Sequence, residues 1–369
     1  MMSGKAILLR SFRRIVLLHR PHQDRSRKFR GVRTIDWRDG RVVIVDQTLL
    51  PAELRTLELT SVDDLVDAIA RMAVRGAPAL GAAGALGVVL AVDQADREGW
   101  DDERLAGELA RVRAARPTAV NLSRGIDRAA SRLAQGRQAV LQEALAVLDE
   151  DVAANRSIGE RGADLLNDLL ARTSAATQAI RVHTHCNTGS LATVEFGTAL
   201  GVLRVLHQRR QLGRVYVGET RPLLQGSRLT AWELDRLGID YRVVVDGAGP
   251  TVIARGLVDA VVVGADRVAA NRDVVNKVGT YPLALACARA GIPFVVAAPE
   301  STIDEATPTG SGVEIETRAA AEVVEWSGVR VAPAGARALN LAFDMTPADL
   351  VTAIVTEDRV IRPGEVNGG

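Results

Sequence analysis

Five short apolar runs punctuate the second half of the chain: AIRVHTHC, GRVYVGET, DYRVVVDG, DAVVVGAD and IPFVVAAP. Each is rich in β-branched residues, and stretches of helical periodicity fill most of the gaps between them, a pattern that predicts βαβ units. Strands apolar at nearly every position belong in a mainly parallel sheet covered on both faces. The first half reads differently. RTIDWRDGRVVIVDQTLLP alternates as a hairpin does, with Asp39-Gly40 supplying the turn. SVDDLVDAIARMAV then predicts a helix with Ser61 as N-cap and Asp64 three positions on, and Ala-rich helical stretches follow to about residue 171. No internal repeat is present, and the C-terminal RPGEVNGG is expected to be disordered. The apolar stretches read as strand-sized, short of the ~18 residues of a membrane span, so no membrane partner is expected.

Charge changes this picture at one end. Residues 1–31 carry nine Lys/Arg against one acid, Asp24, which leaves the remaining residues with 37 basic and 44 acidic side chains, a net of −7. The basic segment is expected to be a dispensable extension or a misassigned start. An acidic body argues against nucleic acid as a partner, since phosphate backbones require a basic face. Two cysteines, Cys186 and Cys287, are too few for a disulfide framework and fit a reducing compartment, hence the cytoplasm.

In parallel sheets ligands bind at the carboxyl ends of the strands, which directs attention to Cys186, Glu219, Asp246 and Asp266. RVHTHCNTGS places His183, His185 and Cys186 close together, but strand alternation turns the histidines to one face and the cysteine to the other. Unless the strand ends between them, they do not converge on a metal, and the chain holds few other ligands. Cys186 before a Gly-Ser turn and a helix expected from about Ala192 reads instead as a nucleophile or proton carrier, its pKa lowered by helix-start amides, against the alternative of a buried structural thiol. Cys287 lies in an apolar helical pattern and reads as core. Asp266 at an apolar strand end is a general-acid candidate or a helix cap. Lys277 is informative by contrast: the chain has 43 arginines and three lysines, the other two being Lys5 and Lys28. A lone lysine in an arginine background suggests that a compact ammonium is required, as at a phosphate. Arg75-Gly76-Ala77 opens a glycine-rich helical stretch suited to backbone contact with an anion or to close helix packing. Arg116 and Arg221 stand at loop ends, where a phosphate contact and a surface ion pair are both open, and Gln225 follows.

Taken in order, VRGAPALG, RPTAVNL, HCNTGSLAT, ETRPLLQGSRLTAWEL, GADRVAANRDVVNKVGTYPLAL, STID and AFDMTP resemble the methylthioribose-1-phosphate isomerases over roughly residues 32 to 362. That family shares its fold with regulatory exchange-factor subunits of translation initiation and with ribose-1,5-bisphosphate isomerases. The resemblance implies an aldose-ketose isomerase of methionine salvage, acting on a sugar phosphate, homodimeric, with no metal or organic cofactor. It places the catalytic cysteine on Cys186 and the catalytic aspartate on Asp266. Substrate-binding roles fall on Arg75, Gly76, Ala77, Arg116, Gln225, Asn276 and Lys277. Two departures, SRGI after RPTAVNL and AANRD in place of a usual Asn-Gly-Asp, bear on substrate preference more than on reaction type. They leave 5-deoxyribose 1-phosphate and ribose 1,5-bisphosphate as alternative substrates, and the fold shared with the exchange-factor subunits leaves a noncatalytic regulatory subunit sensing a sugar phosphate or nucleotide as the alternative function. The expected fold is α/β: a Rossmann-like, mainly parallel sheet domain (173–369) preceded by a smaller, mostly helical N-terminal domain with a short β-hairpin (32–172).

Overall fold

The computed structural model describes residues 33–117, 119–171 and 179–365. The basic segment and the last residues of the tail lie outside them. Strands β1 (Ile35–Arg38) and β2 (Arg41–Val45) form the expected hairpin, extended by β3 (Thr56–Leu59) into a three-stranded antiparallel sheet. Asp39 and Gly40 both have positive φ, 50° and 78°, as the two-residue turn requires. Helix α1 (Val62–Ala70) starts on a capping box: Ser61 Oγ accepts from Asp64 N at 3.1 Å, and Asp64 Oδ2 accepts from Ser61 N at 3.1 Å. Helices α2 (Ala77–Glu98), α3 (Asp102–Ala114), α4 (Val120–Ala130) and α5 (Arg137–Leu170) complete this half.

The most apolar stretch is not strand-sized. Residues 76–92 carry no charged side chain, and among the described residues α2 alone is long and apolar enough to span a membrane. Here it is the central helix of the helical region, with every residue from Ala79 to Ala91 buried. Its glycines serve packing: a Cβ on Gly84 would sit 2.4 Å from Leu122 O, and one on Gly125 of α4 would sit 2.0 Å from Gly81 O. The two helices approach to backbone contact because neither side has a side chain there.

Then follow β4 (Ile180–Thr184), α6 (Ala199–Gln208), β5 (Leu212–Gly218), α7 (Ala231–Leu237), β6 (Tyr241–Val244), α8 (Gly249–Ala254) and β7 (Ala260–Val263). The chain continues through β8 (Arg267–Ala269), β9 (Val274–Lys277), α9 (Thr280–Ala290), β10 (Phe294–Ala297) and β11 (Ile303–Asp304). It ends with α10 (Ala321–Val324), β12 (Glu325–Trp326), β13 (Val329–Arg330), β14 (Phe343–Thr346), β15 (Ala353–Val355) and β16 (Val360–Ile361). The large sheet has the order β16-β15-β10-β7-β4-β5-β6, parallel throughout except for the edge strand β16. With β4 counted as the first strand, the six parallel strands read 3-2-1-4-5-6, the doubly wound order. Alternate residues of these strands enter different cores. Val182, Val215 and Val262 pack with α6 and the second half of α5, whereas Val261, Val263 and Phe294 pack with α8 and α9. The first half of α5 belongs to the core of the helical region, through Val140, Ala144 and Leu148. This single helix therefore joins both cores.

Asp151, in the middle of α5, has its carboxyl pushed up to about 7 by burial, with Glu357 adding repulsion, although its Oδ2 accepts from Val194 N at 2.7 Å. The folded state therefore holds a proton that the unfolded chain releases near 3.8, so stability falls as pH rises between these values. Asp151→Asn keeps an acceptor for Val194 N and removes that slope. Its melting temperature should match the parent's at acidic pH and exceed it by a few degrees at pH ~8, read from parallel thermal melts.

Candidate active site

The strand order reverses between β4 and β7, and this switch point is where a doubly wound sheet leaves a crevice. Cys186 stands two residues beyond β4 and Asp266 three residues beyond β7. Both line one pocket there, together with Arg75, Gly76, Ala77, Arg116, Gln225, Asn276 and Lys277. Every residue to which the resemblance assigns a role is thus brought to one cavity. Arg221, Glu219 and Asp246 are not part of its wall. Arg221 stacks on Trp326 and donates to Glu322 O and Val323 O, tying down α10, while Asp246 Oδ1 accepts from Thr220 N at 2.9 Å and closes the turn after β5.

β4 ends at Thr184, before His185 and Cys186, and Cys186 adopts a left-handed conformation with φ 61°. For a side chain with a Cβ this is a strained backbone, and hydrogen bonds on both sides hold it. Cys186 N donates to Thr220 Oγ1 at 2.9 Å, and Thr230 Oγ1 donates to Cys186 O at 2.6 Å. The helix expected from Ala192 is absent. A single 3-10 turn covers Ser190–Ala192, and α6 begins only at Ala199, because Val194 N is engaged by Asp151 and Val194 O by Thr34 N. Without a helix start at the thiol, the expected lowering of its pKa does not occur. Burial pushes the Cys186 thiol up, against the opposing fields of Arg75 and Lys277.

Burial also raises the Asp266 carboxyl, opposed by Lys277, Arg116 and Arg75, in the direction a general acid needs. Asp266 N donates to Val275 O at 3.0 Å, and Arg267 pairs with Val275, so the β8–β9 register carries Asp266 alongside Asn276 and Lys277. Lys277 is 7% exposed, and its Nζ lies 4.8 Å from the centroid of the Phe343 ring, Phe343 being its partner on β14. Burial pulls the ammonium's pKa down, and the nearby Cys186 and Asp266 oppose this. Asn276 Nδ2 donates to Thr280 Oγ1 at 3.0 Å. The Oε1 of Gln225, buried at the pocket wall, has no hydrogen-bond partner among the described residues.

Gly76 caps the N-terminus of α2, so the positive end of that 22-residue helix faces the pocket. Its φ of 98°, and an Ala192 backbone that would lie 2.4 Å from a Cβ, exclude a side chain at this position. The glycine-rich segment thereby serves both purposes open in the sequence: Gly76 meets the pocket, and Gly84 packs α4. Arg116 lies 3.8 Å from Glu316, and burial pulls its pKa down. Arg318, which no sequence pattern marked, adds a further guanidinium to the wall, held by Glu322 and Glu316. Phe343 lies in the motif AFDMTP, but only its pairing with Lys277 brings it to the site.

The histidines are supports. His185 Nε2 is 2.8 Å from Val278 O, and its ring fills the space that a Cβ on Gly218 or Gly279 would occupy. His183 is buried, with its pKa pulled down to about 3 by burial and by His185. Among the described residues no three His, Cys, Asp or Glu side chains are grouped to hold a metal ion. Cys287 is buried in α9.

Residues 73–363 match the initiation factor 2 subunit family. The chain belongs to that family. Over 339 residues it is 50% identical to a methylthioribose-1-phosphate isomerase of Anaeromyxobacter sp. (strain K), covering 91% of this chain and 96% of that one. It is 46% identical to a 5-deoxyribose 1-phosphate isomerase of Moorella thermoacetica, covering 91% and 95%. A probable bifunctional methylthioribose-1-phosphate isomerase/methylthioribulose-1-phosphate dehydratase of Nocardia farcinica is 52% identical over 89% of this chain, which spans 59% of that longer protein. Among solved structures, the 5-methylthioribose 1-phosphate isomerase of Pyrococcus horikoshii OT3 superposes with a TM-score of 0.79 at 36% identity, covering 91% of this chain and 96% of that one. The translation initiation factor eIF-2B, subunit delta, of A. fulgidus gives 0.77 at 43%, covering 91% and 97%. The resemblance and the α/β fold drawn from the sequence motifs agree with these relatives.

Proposed function

We propose that the protein is an aldose-ketose isomerase of methionine salvage that converts 5-methylthio-α-D-ribose 1-phosphate into 5-methylthio-D-ribulose 1-phosphate. The observation that carries this reading is the meeting of Cys186, Asp266 and Lys277 in one pocket at the switch point. A phosphate on the anomeric oxygen blocks the free-aldehyde opening that ordinary aldose isomerases use. The ring must open while C1 keeps its phosphate. Asp266, with its carboxyl pKa raised, protonates the ring oxygen as the C1–O bond breaks. Lys277, Arg75, Arg116 and the amides at Gly76 and Ala77 hold the phosphate, with Gln225 and Asn276 on the sugar. Binding a phosphate dianion offsets the cations that lower the Asp266 pKa, so substrate itself favours the protonated acid.

Hydrogen then passes from C2 to C1. In one route Cys186, reacting as the thiolate beside Arg75 and Lys277, takes the C2 proton to leave an enol phosphate and returns it to C1, while the C2 hydroxyl proton passes to the Asp266 carboxylate, which leaves the ketone and restores the acid. In the other the C2 hydrogen migrates directly as hydride past the neutral Cys186 thiol, and the C2 hydroxyl proton again passes to Asp266. Turnover in deuterated water separates them: deuterium at C1 of the product supports the first, and its complete absence supports the second.

The relatives include a 5-deoxyribose 1-phosphate isomerase, so the assay runs purified protein on methylthioribose 1-phosphate beside 5-deoxyribose 1-phosphate and ribose 1,5-bisphosphate. The highest kcat/KM is expected for the first. Similarity to a translation initiation factor subunit favours a second reading, a noncatalytic sensor of sugar phosphates. Ligand-induced stabilisation without turnover of any of the three would support it. We also propose cytoplasmic residence, a homodimer, and a division into helical (32–172) and sheet (173–369) domains. Val243 and Val245, exposed at and just beyond the edge strand β6, support the dimer, which light scattering tests.

A further inference from the structure

Glu233 is a buried carboxylate, 3% exposed, on the first turn of α7, outside the pocket wall. Among the described residues, its hydrogen-bond donors come from the loop that follows Cys186. Oε2 accepts from Ser190 N at 2.8 Å and Ser190 Oγ at 2.5 Å, while Oε1 accepts from Asn187 Nδ2 at 2.8 Å and Leu191 N at 3.4 Å. The loop wraps so closely that a Cβ on Gly189 would fall 2.3 Å from this carboxylate. Asn187 faces both ways. With its amide nitrogen fixed by Glu233, its Oδ1 accepts from Arg75 Nη1 at 2.9 Å and its backbone oxygen from Arg75 Nη2 at 2.7 Å. The same Nδ2 reaches Thr230 Oγ1 at 3.2 Å, the hydroxyl that holds Cys186 O.

We propose that Glu233 is a positioning residue of the active site: through Asn187 it fixes the Arg75 guanidinium as an anion clamp and locks the left-handed turn that presents Cys186. Only a carboxylate offers two acceptor oxygens to this loop. A glutamine at 233 either turns its amide nitrogen onto Asn187 Nδ2, donor against donor, or loses Ser190. An aspartate at 187 reverses the polarity of that contact. Its Oδ1 still accepts from Arg75, and its second oxygen accepts from the amide nitrogen of the glutamine at 233, whose carbonyl oxygen accepts from Ser190. The double variant therefore restores the links from Arg75 through positions 187 and 233 to Ser190 with the carboxylate moved by one link, while the bonds to Thr230 Oγ1 and Leu191 N are not restored.

The proposal rests on the isomerase reading for its kinetic test, but not for its binding test. Wild type, Glu233→Gln and Glu233→Gln/Asn187→Asp are compared for KM and kcat with methylthioribose 1-phosphate. They are also compared for the inorganic phosphate concentration that half-protects Cys186 from iodoacetamide, followed by mass spectrometry of its peptide. Glu233→Gln should raise KM and the half-protecting concentration at least tenfold and lower kcat, and the double variant should recover most of the KM and of the half-protecting concentration, the two readouts of the Arg75 clamp. A wild-type KM and wild-type half-protection in Glu233→Gln, with any loss matching a smaller folded fraction by circular dichroism, would make Glu233 merely structural and overturn the proposal. A double variant no better than the single one in KM and in half-protection would overturn it too. If wild type turns over none of the three sugar phosphates, the isomerase reading fails, and the phosphate-protection series still decides the role of Glu233.

Discussion

Cys186→Ala and Asp266→Asn should each lower turnover of methylthioribose 1-phosphate by about 10²–10⁴-fold, the range for removing a positioned proton-transfer group. The fold should persist in both. Cys186 is held through its backbone N and O, which alanine keeps, although alanine shares the strain of the positive φ. Asp266 is anchored by its backbone N to Val275 O, which asparagine keeps. The double variant should lose no more than about the larger single loss, because residues acting as one unit are not additive. Steady-state kinetics alongside thermal melts check this. Near-wild-type turnover in either single variant would remove that residue from the chemistry.

Lys277→Met should cost about 10²–10³-fold in kcat/KM, the scale of one charge-stabilising donor in an enclosed site. Methionine keeps the buried stem beside Phe343 and deletes the charge. The loss has a pH signature as well. The Lys277 ammonium is first among the groups that lower the Asp266 pKa, so its removal lets that pKa rise further. The alkaline limb of the pH–rate profile, which needs protonated Asp266, should move to higher pH. Lys277→Arg should not restore activity, since a planar guanidinium neither fits the space of a buried ammonium beside Phe343 nor presents a point charge. Rate profiles across pH for the three proteins test both points; full activity in Lys277→Arg would contradict the size argument.

How much of this was legible before the structure depends on where each element finds its partners. The five strands β4, β5, β6, β7 and β10 showed in the sequence because most are flanked on both faces, which enforces uninterrupted apolar runs. The capping box of α1 and the hairpin turn at Asp39-Gly40 are local chemistry and were equally plain. The sheet β11-β8-β9-β14 was not, since its strands have two to four residues and include polar Asn276, Lys277 and Asp344. β7 and β10, also of four residues, stay legible because every position in them is apolar. The course of residues 190–198, one 3-10 turn and then irregular backbone, was hidden for a related reason, because Val194 is engaged by Asp151 and Thr34, far away in sequence.

The sequence by itself determined the chemical inventory: a cysteine and an aspartate after two strand-like runs, one lysine in an arginine-coded body, and glycine at the start of a helix. Those are properties of residue type and immediate neighbours. Tertiary structure decided which of them meet. Strand order sets β4 beside β7, and the β8–β9–β14 register brings Asp266, Lys277 and Phe343 together. It also decided the protonation of the site. Burial of the folded loop raises the pKa of Cys186 against the lowering fields of Arg75 and Lys277, where its sequence position suggested a decrease.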